Sequence, residues 1–443
     1  MSHAKFERYD AYKNNGVEWL SKVPEHWDMQ RLKDIKSSVS NAFVDGPFGS
    51  NLKTEHFVEN GAVYVIDSGF ITSGKFEKKR EFKTISFEHF LTVRRSECCY
   101  EDIIISKIGA NFGMSGILPE LDKPSLVSGN TLKISINKKK FFLKFIHYQL
   151  LNLKVNGVFD LLVKGSAQPA LSLGLLNSVT FPVPPLLHEQ TVIADYLDTK
   201  TEQIDRKIDL LTQKAIQYGK LKQSLINETV TRGLDKTVAM KDSGVEWIGE
   251  VPEHWVVNRL KDIFNERTDK GYPDEPLLIA SQDKGVTLKA SYSRHTMTVQ
   301  KDFHMQKLVK KADFVISLRS FEGGIETAHY QGIISAAYTI LYPINEQGSG
   351  YYKHLFKSSK FISLLVTHTT GIREGRNINY QQLKRDFIPV PNQVERQEIA
   401  SYLDTKTTHI DRIVETINTQ IDKLKELRKT LINDVVTGKI KVA

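Results

Sequence analysis

The sequence is poor in the features that mark secreted and membrane proteins. Among 443 residues there are only two cysteines, the neighbours Cys98 and Cys99. Adjacent cysteines rarely pair with each other and lack the spacing of a metal site. No apolar run approaches the roughly 18 residues of a membrane span, and the opening MSHAKFERYD lacks the apolar core of a signal peptide. These absences predict a cytoplasmic location.

The sequence also lacks the common motifs of catalytic sites. There is no GxxxxGK(S/T) loop for a nucleotide phosphate and no GxGxxG turn after a strand. Neither HExxH nor a CxxC pair offers a metal site. The Asn/Asp-Pro-Pro-aromatic tetrapeptide with which amino-methyltransferases hold a flipped base is absent as well. We therefore expect a binding protein rather than a catalyst.

What is present is an internal repeat of unusual layout. GVEWLSKVPEHWDMQRLKDI (residues 16–35) and GVEWIGEVPEHWVVNRLKDI (residues 244–263) are identical at 14 of 20 positions, with an offset of 228. ADYLDTKTEQIDR from Ala194 and ASYLDTKTTHIDR from Ala400 form a second pair with an offset of 206, so the first intervening insert is 22 residues longer (228 − 206). One scaffold therefore carries two divergent inserts, as expected if the two halves do the same job on different targets.

The positive charge is concentrated in the two inserts. The chain has a net charge of +9; residues 37–185 contribute 17 − 13 = +4, residues 265–391 contribute 17 − 12 = +5, and the remainder 27 − 27 = 0. A basic excess confined to two globular segments favours a polyanionic partner, most simply nucleic acid. Ordinary surface lysines kept for solubility are the alternative explanation.

Two long stretches, residues 186–232 and 392–438, have the spacing of helices that carry one apolar stripe. At about 1.5 Å per residue, each helix would be roughly 65–70 Å long. Because an isolated helix with a single apolar stripe must pair, we expect the two helices to pair with each other. The predicted stripes are Ile193, Leu197, Ile204, Ile208, Leu211, Ala215, Tyr218, Leu221, Leu225 and Val230, and Ile399, Leu403, Ile410, Val414, Ile417, Ile421, Leu424, Leu427, Leu431 and Val435.

The inserts predict two related mixed α/β folds. Each has a strand that ends in a glycine-rich loop, a return strand, a helix, a glycine-led turn and a Pro-Val-Pro exit. In the first insert we expect strands at 63–66, 102–106 and 131–136, a return strand over 125–134 and a helix at 142–153. In the second we expect strands at 277–280, 313–317 and 333–341, a return strand over 332–341 and a helix near 352–367.

The repeated tryptophan-rich stretch has two interpretations. Trp19, Pro24, His26 and Trp27, copied as Trp247, Pro252, His254 and Trp255, could form a ligand cage. Packing that docks each insert against the helices is the better explanation, since both copies flank divergent inserts. A metal role for the lone histidines is not expected.

The loops that follow the strands are the predicted contact surfaces, because loops on a rigid scaffold commonly carry function. Arg and Lys suit guanine edges, and Asn and Gln suit adenine edges, whereas lysine runs suit phosphates. The candidates for base contact are Lys107, Asn111, Ser166, Gln168, Arg319, Ser320, Glu322, Arg373, Arg376 and Asn379. The candidates for phosphate contact are Lys78, Lys79, Arg80, Lys138, Lys139 and Lys140.

Taken together, these segments resemble the DNA-specificity subunit of Type I restriction–modification systems. The resemblance covers nearly the whole chain and depends on the duplicated order of segments rather than on one short motif. It includes GVEW…PEHW…LKDI, DIIISKIGANFG and DFVISLRSFEGG, the Pro-Val-Pro exits, EQTVIADYLDTKTEQID and ERQEIASYLDTKTTHID, and LINETVTRG and LINDVVTGK.

The resemblance implies an α+β fold with two globular α/β target recognition domains, separated by two long antiparallel coiled-coil helices. The internal repeat gives the chain pseudo-two-fold symmetry. The opening segment would complete the unit that ends at the C-terminus. The implied divisions are residues 1–36 (repeat segment), 37–185 (first target recognition domain), 186–233 (first spacer helix), 234–264 (connector and second repeat segment), 265–391 (second target recognition domain) and 392–443 (second spacer helix).

The resemblance further implies a non-catalytic subunit that recognises a split, asymmetric site in double-stranded DNA. Two modification subunits would supply S-adenosylmethionine and adenine methylation, and restriction subunits would add cleavage that requires ATP and Mg. This chain would bind none of these cofactors and no metal. Two alternatives remain: a fused methyltransferase or endonuclease, and a coiled-coil scaffold that joins two proteins. Unaided methylation by the purified chain would favour the first, and indifference to DNA the second.

Overall fold

The computed structural model describes residues 7–17, 19–47, 49–72, 74–78, 80–163, 169–292, 302–345, 349–371 and 377–442. The chain divides into two compact units. The first comprises Met1–Leu210 and Gln420–Ala443, and the second comprises Leu211–Thr419. Both units mix helices and strands, which confirms the predicted α/β character. No helix among the described residues is both long and apolar enough to cross a membrane.

The first half of the chain contains fifteen described strands and five described α-helices. The strands are β1 (Tyr12–Lys13), β2 (Val23–Pro24), β3 (Asp28–Arg31), β4 (Phe43–Asp45), β5 (Phe57–Val58), β6 (Val63–Ile66), β7 (Ile71–Thr72), β8 (Lys75–Phe76), β9 (Lys83–Ile85), β10 (Glu97–Cys98), β11 (Ile103–Ser106), β12 (Ser115–Ile117), β13 (Ser125–Val127), β14 (Thr131–Ile134) and β15 (Thr180–Val183). The helices are α1 (Phe87–Thr92), α2 (Leu143–Val155), α3 (Val158–Leu162), α4 (Leu173–Asn177) and α5 (Leu187–Arg232).

The second half contains fourteen described strands and six described α-helices. The strands are β16 (Met240–Asp242), β17 (Glu250–Pro252), β18 (Val256–Arg259), β19 (Phe264–Arg267), β20 (Leu278–Ser281), β21 (Gly285–Leu288), β22 (Lys307–Val309), β23 (Phe314–Ile316), β24 (Glu326–Thr327), β25 (Gly332–Ile334), β26 (Thr339–Pro343), β27 (Thr369–Thr370), β28 (Asn377–Ile378) and β29 (Phe387–Val390). The helices are α6 (Leu260–Ile263), α7 (Ser320–Gly323), α8 (Gly350–Leu355), α9 (Ser359–Thr367), α10 (Tyr380–Leu383) and α11 (Gln393–Val436).

Each insert contains its own four-stranded antiparallel sheet, and the two sheets have the same strand order. The order is β12-β11-β14-β4 in the first insert and β24-β23-β26-β19 in the second. In both sheets a central strand precedes the glycine-rich loop. β11 lies between β12 and β14 in the first insert, and β23 lies between β24 and β26 in the second. The inserts are therefore related folds despite their low sequence identity, as the loop order predicted.

The return strand was predicted wrongly as one element in each insert. Residues 125–134 form β13 and β14, which belong to two different sheets, and residues 332–341 form β25 and most of β26, which also separate. The chain turns between them, with Thr131 N–H donating to Ser128 O at 2.9 Å and Tyr338 N–H donating to Ser335 O at 3.0 Å. The helix near 352–367 likewise divides into α8 and α9, because Ser358 caps a new helix start.

A buried aspartate immediately precedes the central strand of each sheet. Asp102 and Asp313 are both 3% exposed. Each accepts a hydrogen bond from the backbone three residues earlier, from Cys99 N–H at 2.8 Å and from Lys310 N–H at 2.7 Å. A cation from a neighbouring strand offsets each charge: Lys133 of β14 lies 3.0 Å from Asp102, and Arg267 of β19 lies 2.8 Å from Asp313.

Each insert enters and leaves the scaffold at adjacent points. β3 of the first repeat segment pairs with β15 of the Pro-Val-Pro exit, with Asp28 opposite Val183. β18 pairs in the same way with β29, with Val256 opposite Val390. Because the two ends of an insert are held side by side, the residues between them can diverge without moving the scaffold.

The repeat segments dock on the first turn of the long helices. Trp27, which is fully buried, donates its indole N–H to Glu189 of α5 at 2.9 Å, and His26 Nε2 lies 3.0 Å from the same carboxylate. In the second unit, Trp255 donates to Glu395 of α11 at 2.9 Å and His254 Nε2 lies 2.8 Å from it. The packing interpretation of the tryptophan segment is therefore correct.

Each tryptophan–glutamate contact joins one residue from each of the two repeated segments, and these segments recur at different offsets. Trp27 and Trp255 are 228 residues apart, whereas Glu189 and Glu395 are 206 apart. Both carboxylates occupy the first helical turn, where the helix dipole stabilises negative charge. The indole rings continue into the inserts, Trp27 against Phe145 of α2 at 6.3 Å between ring centroids and Trp255 against Tyr351 of α8 at 6.3 Å.

The first unit is built from both ends of the described chain. Lys441 N–H donates to Glu7 O at 2.8 Å, and Tyr12 Oη donates to Gly438 O at 3.1 Å. Gly438 has a φ of +75°, and a Cβ there would lie 2.3 Å from Pro24 Cδ. A side chain is therefore excluded at the point where the last helix passes the first repeat segment.

The predicted long helices are confirmed as α5 and α11, of 46 and 44 residues. Within each unit their segments run antiparallel. In the first unit, Ile193 and Leu197 share a core with Val435 and Ile432, while Asp205 lies 2.9 Å from Arg428. In the second unit, Ile226 and Val230 share a core with Ile399 and Leu403, while Lys222 lies 2.7 Å from Asp411.

The predicted stripe is wrong at one position in each helix. Leu221 and Leu427 are 53% and 54% exposed. The following residue in each helix, Lys222 or Arg428, faces the opposite helix and forms the ion pair described above. These two pairs are copies of one another, since Asp205 and Asp411, like Lys222 and Arg428, are 206 residues apart.

A second carboxylate on each long helix holds the helix that follows the sheet of the insert. Asp198 accepts from Tyr148 Oη at 2.7 Å and from Lys144 Nζ at 2.6 Å. Its copy Asp404 lies 2.7 Å from His354 Nε2 and 2.6 Å from Lys353 Nζ. The hydrogen bond from His354, with the nearby Lys353 cation, lowers the pKa of Asp404 to about 2.

We predict that Glu189→Ala destabilises the first unit by about 2–4 kcal/mol, because the indole of Trp27 and the phenol of Tyr9 would lose their acceptor. Glu189→Gln keeps one acceptor oxygen and should cost less. Urea unfolding followed by tryptophan fluorescence measures the difference. The exposed Glu202→Ala on the same helix is the control, and equal losses for all three variants would contradict the assignment.

The Asp404 contact predicts a pH dependence. Its carboxyl has a lowered pKa in the folded state, so the contact stabilises above the ordinary value of 3.8 and is lost as the pH falls toward about 2. Asp404→Asn should therefore lower the melting temperature at pH 7, and the difference from wild type should shrink below pH 4. A difference that stays constant from pH 7 to pH 3 would refute this origin.

Candidate nucleic-acid interface

A cleft in the first insert collects several cationic side chains. It has a volume of about 540 Å³ and lies where β6, β9, β11 and β13 approach the loop after β4. Its polar lining includes Ser68, Arg80, Lys83, Lys107, Ser128 and Asn130. We refer to it as the cationic cleft.

Lys107 is held firmly in the cleft. It follows β11, and its N–H donates to Asn130 O at 2.8 Å while its own carbonyl accepts from Leu171 N–H at 3.1 Å. The ammonium lies 3.5 Å from Asp45, and the side chain is only 16% exposed. Asp45 also lies 3.2 Å from Arg95. Because its backbone and its amine are both fixed, Lys107 is a preorganised donor.

Arg80 and Lys83 supply the other two cations. The Arg80 guanidinium lies 3.7 Å from Asp67 and is 57% exposed, so solvent screens that pair strongly. The Lys83 ammonium lies 5.2 Å from the centre of the Phe57 ring, a favourable cation–π arrangement. Three cations against the carboxylates of Asp67 and of Asp45, which pairs with Lys107, give this group a formal charge of 3 − 2 = +1. Such a surface favours an anionic ligand.

The floor of the cleft depends on a close approach between two loops. A Cβ at Gly46 would lie 1.9 Å from Ser128 O, so only glycine fits there. The sequence prediction missed the stretch Asp45-Gly46-Pro47, although a Gly-Pro pair is a common signal of a loop. Lys83 and Asn130 were also missed, because each stands alone between ordinary strand residues.

The other candidates of the first insert are not all brought together. Asn111 donates its amide to Ser68 O at 3.1 Å, so it holds a loop in place. Lys78 donates to Glu120 O at 3.3 Å. Lys138 pairs with Glu101, which precedes β11, so the run Lys138, Lys139 and Lys140 lies at the opposite end of the sheet from Lys107. Lys79, Ser166 and Gln168 lie outside the described residues.

In the second insert the predicted loop carries a mixture of roles. Arg319 is exposed after β23, and Glu322 accepts from Gln282 at 3.3 Å. Ser320 is 1% exposed, and its hydroxyl accepts from Ser317 N–H at 2.8 Å. Asn379 caps α10 by accepting from Gln382 N–H at 3.3 Å. Arg373 and Arg376 lie outside the described residues.

An ion pair between a half-buried lysine and a buried glutamate supports the loop of the second insert. Lys357 donates to Gly323 O at 2.9 Å and to the carboxylate of Glu326 at 2.5 Å. Burial raises the pKa of Glu326, and the Lys357 charge opposes that rise. The loop that carries Arg319 and Glu322 is therefore held in a fixed position, and Gln282 contacts it. Gln282 was not among the residues predicted from the sequence.

The sequence and the fold both match known proteins. The family model of the Type I restriction modification DNA specificity domain matches residues 24–217. The putative type I restriction enzyme MjaX specificity subunit of Methanocaldococcus jannaschii is 22% identical over 434 residues, which cover 96% of this chain and 96% of that protein. The type I restriction enzyme EcoBI specificity subunit of Escherichia coli is 21% identical over 351 residues, which cover 72% of this chain and 70% of that protein.

The fold is also similar to that of a solved structure. The matching chain is from a structure described as the basis of complex assembly and conformational transition of the type I R-M system. The TM-score is 0.67 at 15% identity, with 94% of this chain and 98% of that chain covered. At this identity the likeness speaks for the fold alone.

We predict that Arg80→Ala, Lys83→Ala and Lys107→Ala each weaken the binding of duplex DNA, because each removes a cation from the cleft. A cation that contacts one phosphate should change the slope of log K against log salt concentration by about 0.9. Fluorescence anisotropy at several salt concentrations measures it. Lys139→Ala is the matched control, and an equal loss for that variant would show that the cleft is not the contact surface.

Proposed function

We propose that this chain, which is similar in sequence to the specificity subunits of type I restriction enzymes, is the subunit that recognises the DNA target. In this proposal it reads a bipartite, asymmetric sequence with an unread spacer. Partner subunits carry out adenine methylation and restriction at the positions that it selects.

The observation that carries the proposal is that the two inserts have the same sheet but different loop residues at the end of its central strand. Both inserts have the same four-stranded sheet and the same buried aspartate at the central strand. At the end of that strand, however, the first presents Lys107 and the second presents Arg319 and Glu322. Direct readout of bases depends on such donor and acceptor patterns, so two patterns on one frame suit two different half-sites.

The distribution of charge supports the same proposal. The inserts hold the entire net positive charge of the sequence, +4 and +5 of +9. Phosphate neutralisation supplies much of the affinity of DNA-binding proteins and fixes their register on the duplex. A scaffold that only joined two proteins would leave this bias without a cause.

We propose that the long helices form the antiparallel coiled coil that separates the two target recognition domains, as the resemblance implies. Two domains that read one face of DNA lie about one helical turn, or 34–36 Å, apart. Helices of 46 and 44 residues, at about 1.5 Å per residue, can set that distance and still expose surface to partners.

The helices also offer two equivalent exposed positions to those partners. Leu221 and Leu427 occupy the same place in the repeat and are exposed to nearly the same degree, 53% and 54%. One copy per half fits the docking of two identical modification subunits. In this proposal the partners bring S-adenosylmethionine, ATP and Mg, and the chain itself contributes recognition only.

We predict that replacing residues 37–185 with the corresponding insert of a relative changes one half-site only. β3 stays in place and the exit strand of the donor insert takes the position of β15 opposite it, so the scaffold should be preserved. The measurement is the methylome of a restriction-deficient host that carries the complete system. The unreplaced half-site and the spacer length should stay constant.

Replacement of residues 265–391 is the reciprocal control and should change the other half-site. If either exchange changed both half-sites, or if the wild-type system gave no bipartite motif, the proposal would be wrong. Methylation by the purified chain without partners would identify it instead as a fused enzyme.

A further inference from the structure

A short turn places Asn130 at the edge of the cationic cleft. The turn joins β13 to β14 and is closed by Thr131 N–H, which donates to Ser128 O at 2.9 Å. The carbonyl of Asn130 accepts from Lys107 N–H at 2.8 Å, and its own N–H lies 3.4 Å from Ser128 Oγ. The backbone of Asn130 is therefore held on both sides, and its side chain starts from a fixed point.

The side-chain amide of Asn130 is available to a ligand. The residue is exposed and lines the cleft together with Arg80, Lys83 and Lys107. Within the described part of the chain, its amide makes no hydrogen bond. The nearby Asn111 differs, because its amide is committed to Ser68 O at 3.1 Å.

The chemistry of the cleft separates Asn130 from its cationic neighbours. Lysine and arginine side chains only donate hydrogen bonds, whereas a carboxamide donates and accepts at the same time. In the major groove, adenine presents the N7 acceptor beside the N6 donor, and a carboxamide matches that pair in a bidentate contact. The hydroxyl of Ser128 already takes part in contacts within the turn.

We propose that Asn130 is a specificity-determining residue that reads an adenine base in the half-site of the first insert. Arg80 and Lys83 contact the flanking phosphates in this arrangement and carry affinity rather than sequence preference, while Lys107 lies beside Asn130 as a second donor toward the bases. The inference rests on the proposed function and adds to it one residue and one base.

The second insert supports this assignment by contrast. The equivalent turn joins β25 to β26 and is closed by Tyr338 N–H donating to Ser335 O at 3.0 Å. It carries Ala336 and Ala337, which have no amide side chain. The turn between β13 and β14 therefore supplies an amide that reads an adenine, and the equivalent turn between β25 and β26 supplies none.

The test uses the complete system in a restriction-deficient host, with the methylome as readout. Asn130→Ala should relax one position of the first half-site and reduce discrimination there roughly 5- to 150-fold. Asn130→Asp, which has nearly the same shape, should move the preference at that position from adenine toward cytosine, because a carboxylate accepts from cytosine N4. The second half-site and the spacer should not change in either variant.

Asn137→Ala is the matched control, since Asn137 lies in the same insert at the other end of β14 and caps Lys139 N–H at 3.2 Å. It should leave the motif intact. An unchanged motif in both Asn130 variants, or a loss of modification without relaxation at any single position, overturns the inference. In that case a bipartite wild-type motif would still uphold the proposed function, whereas its absence would remove both.

Discussion

The scaffold depends on a carboxylate in the first turn of each long helix. Glu189 and Glu395 accept the indole N–H of a buried tryptophan from the repeat segment, and each tryptophan packs against an aromatic ring of its insert. One side chain thus joins helix, repeat segment and insert. Because a buried indole without an acceptor is costly, this contact fixes each repeat segment against its helix with residues that lie outside the inserts, and the insert needs only to supply the aromatic ring that packs against the indole.

Freedom to diverge follows from this constraint together with the paired strands at the insert boundaries. β3 with β15 and β18 with β29 bring the two ends of each insert together. The sheet order inside is retained, but the cation that offsets the buried aspartate comes from β14 in one insert and from β19 in the other. The frame therefore constrains where polar loops lie and leaves their chemistry free.

Repeats and periodicity allowed the sequence to predict the long helices, the relation between the inserts and the docking role of the tryptophans. Periodicity could not show that Leu221 and Leu427 are exposed, because the neighbouring Lys222 and Arg428 are used in ion pairs that only the facing helix reveals. The return strands were merged because turns such as Ser128–Asn130 contain few residues. Asn111 was preferred over Asn130 because sequence alone does not show which amide is already bonded within the fold.

The contact between Glu7 and Lys441 in the first unit has a consequence for synthesis on the ribosome. The second unit, Leu211–Thr419, contains all of its parts once residue 419 has emerged. Most residues of the first unit are synthesised before those of the second. Its fold is complete only after Val435 and Ile432 can pack in its core and Lys441 can form its hydrogen bond to Glu7. The half that is translated first is therefore the half that is finished last, and a prematurely terminated chain exposes apolar surface on its N-terminal unit.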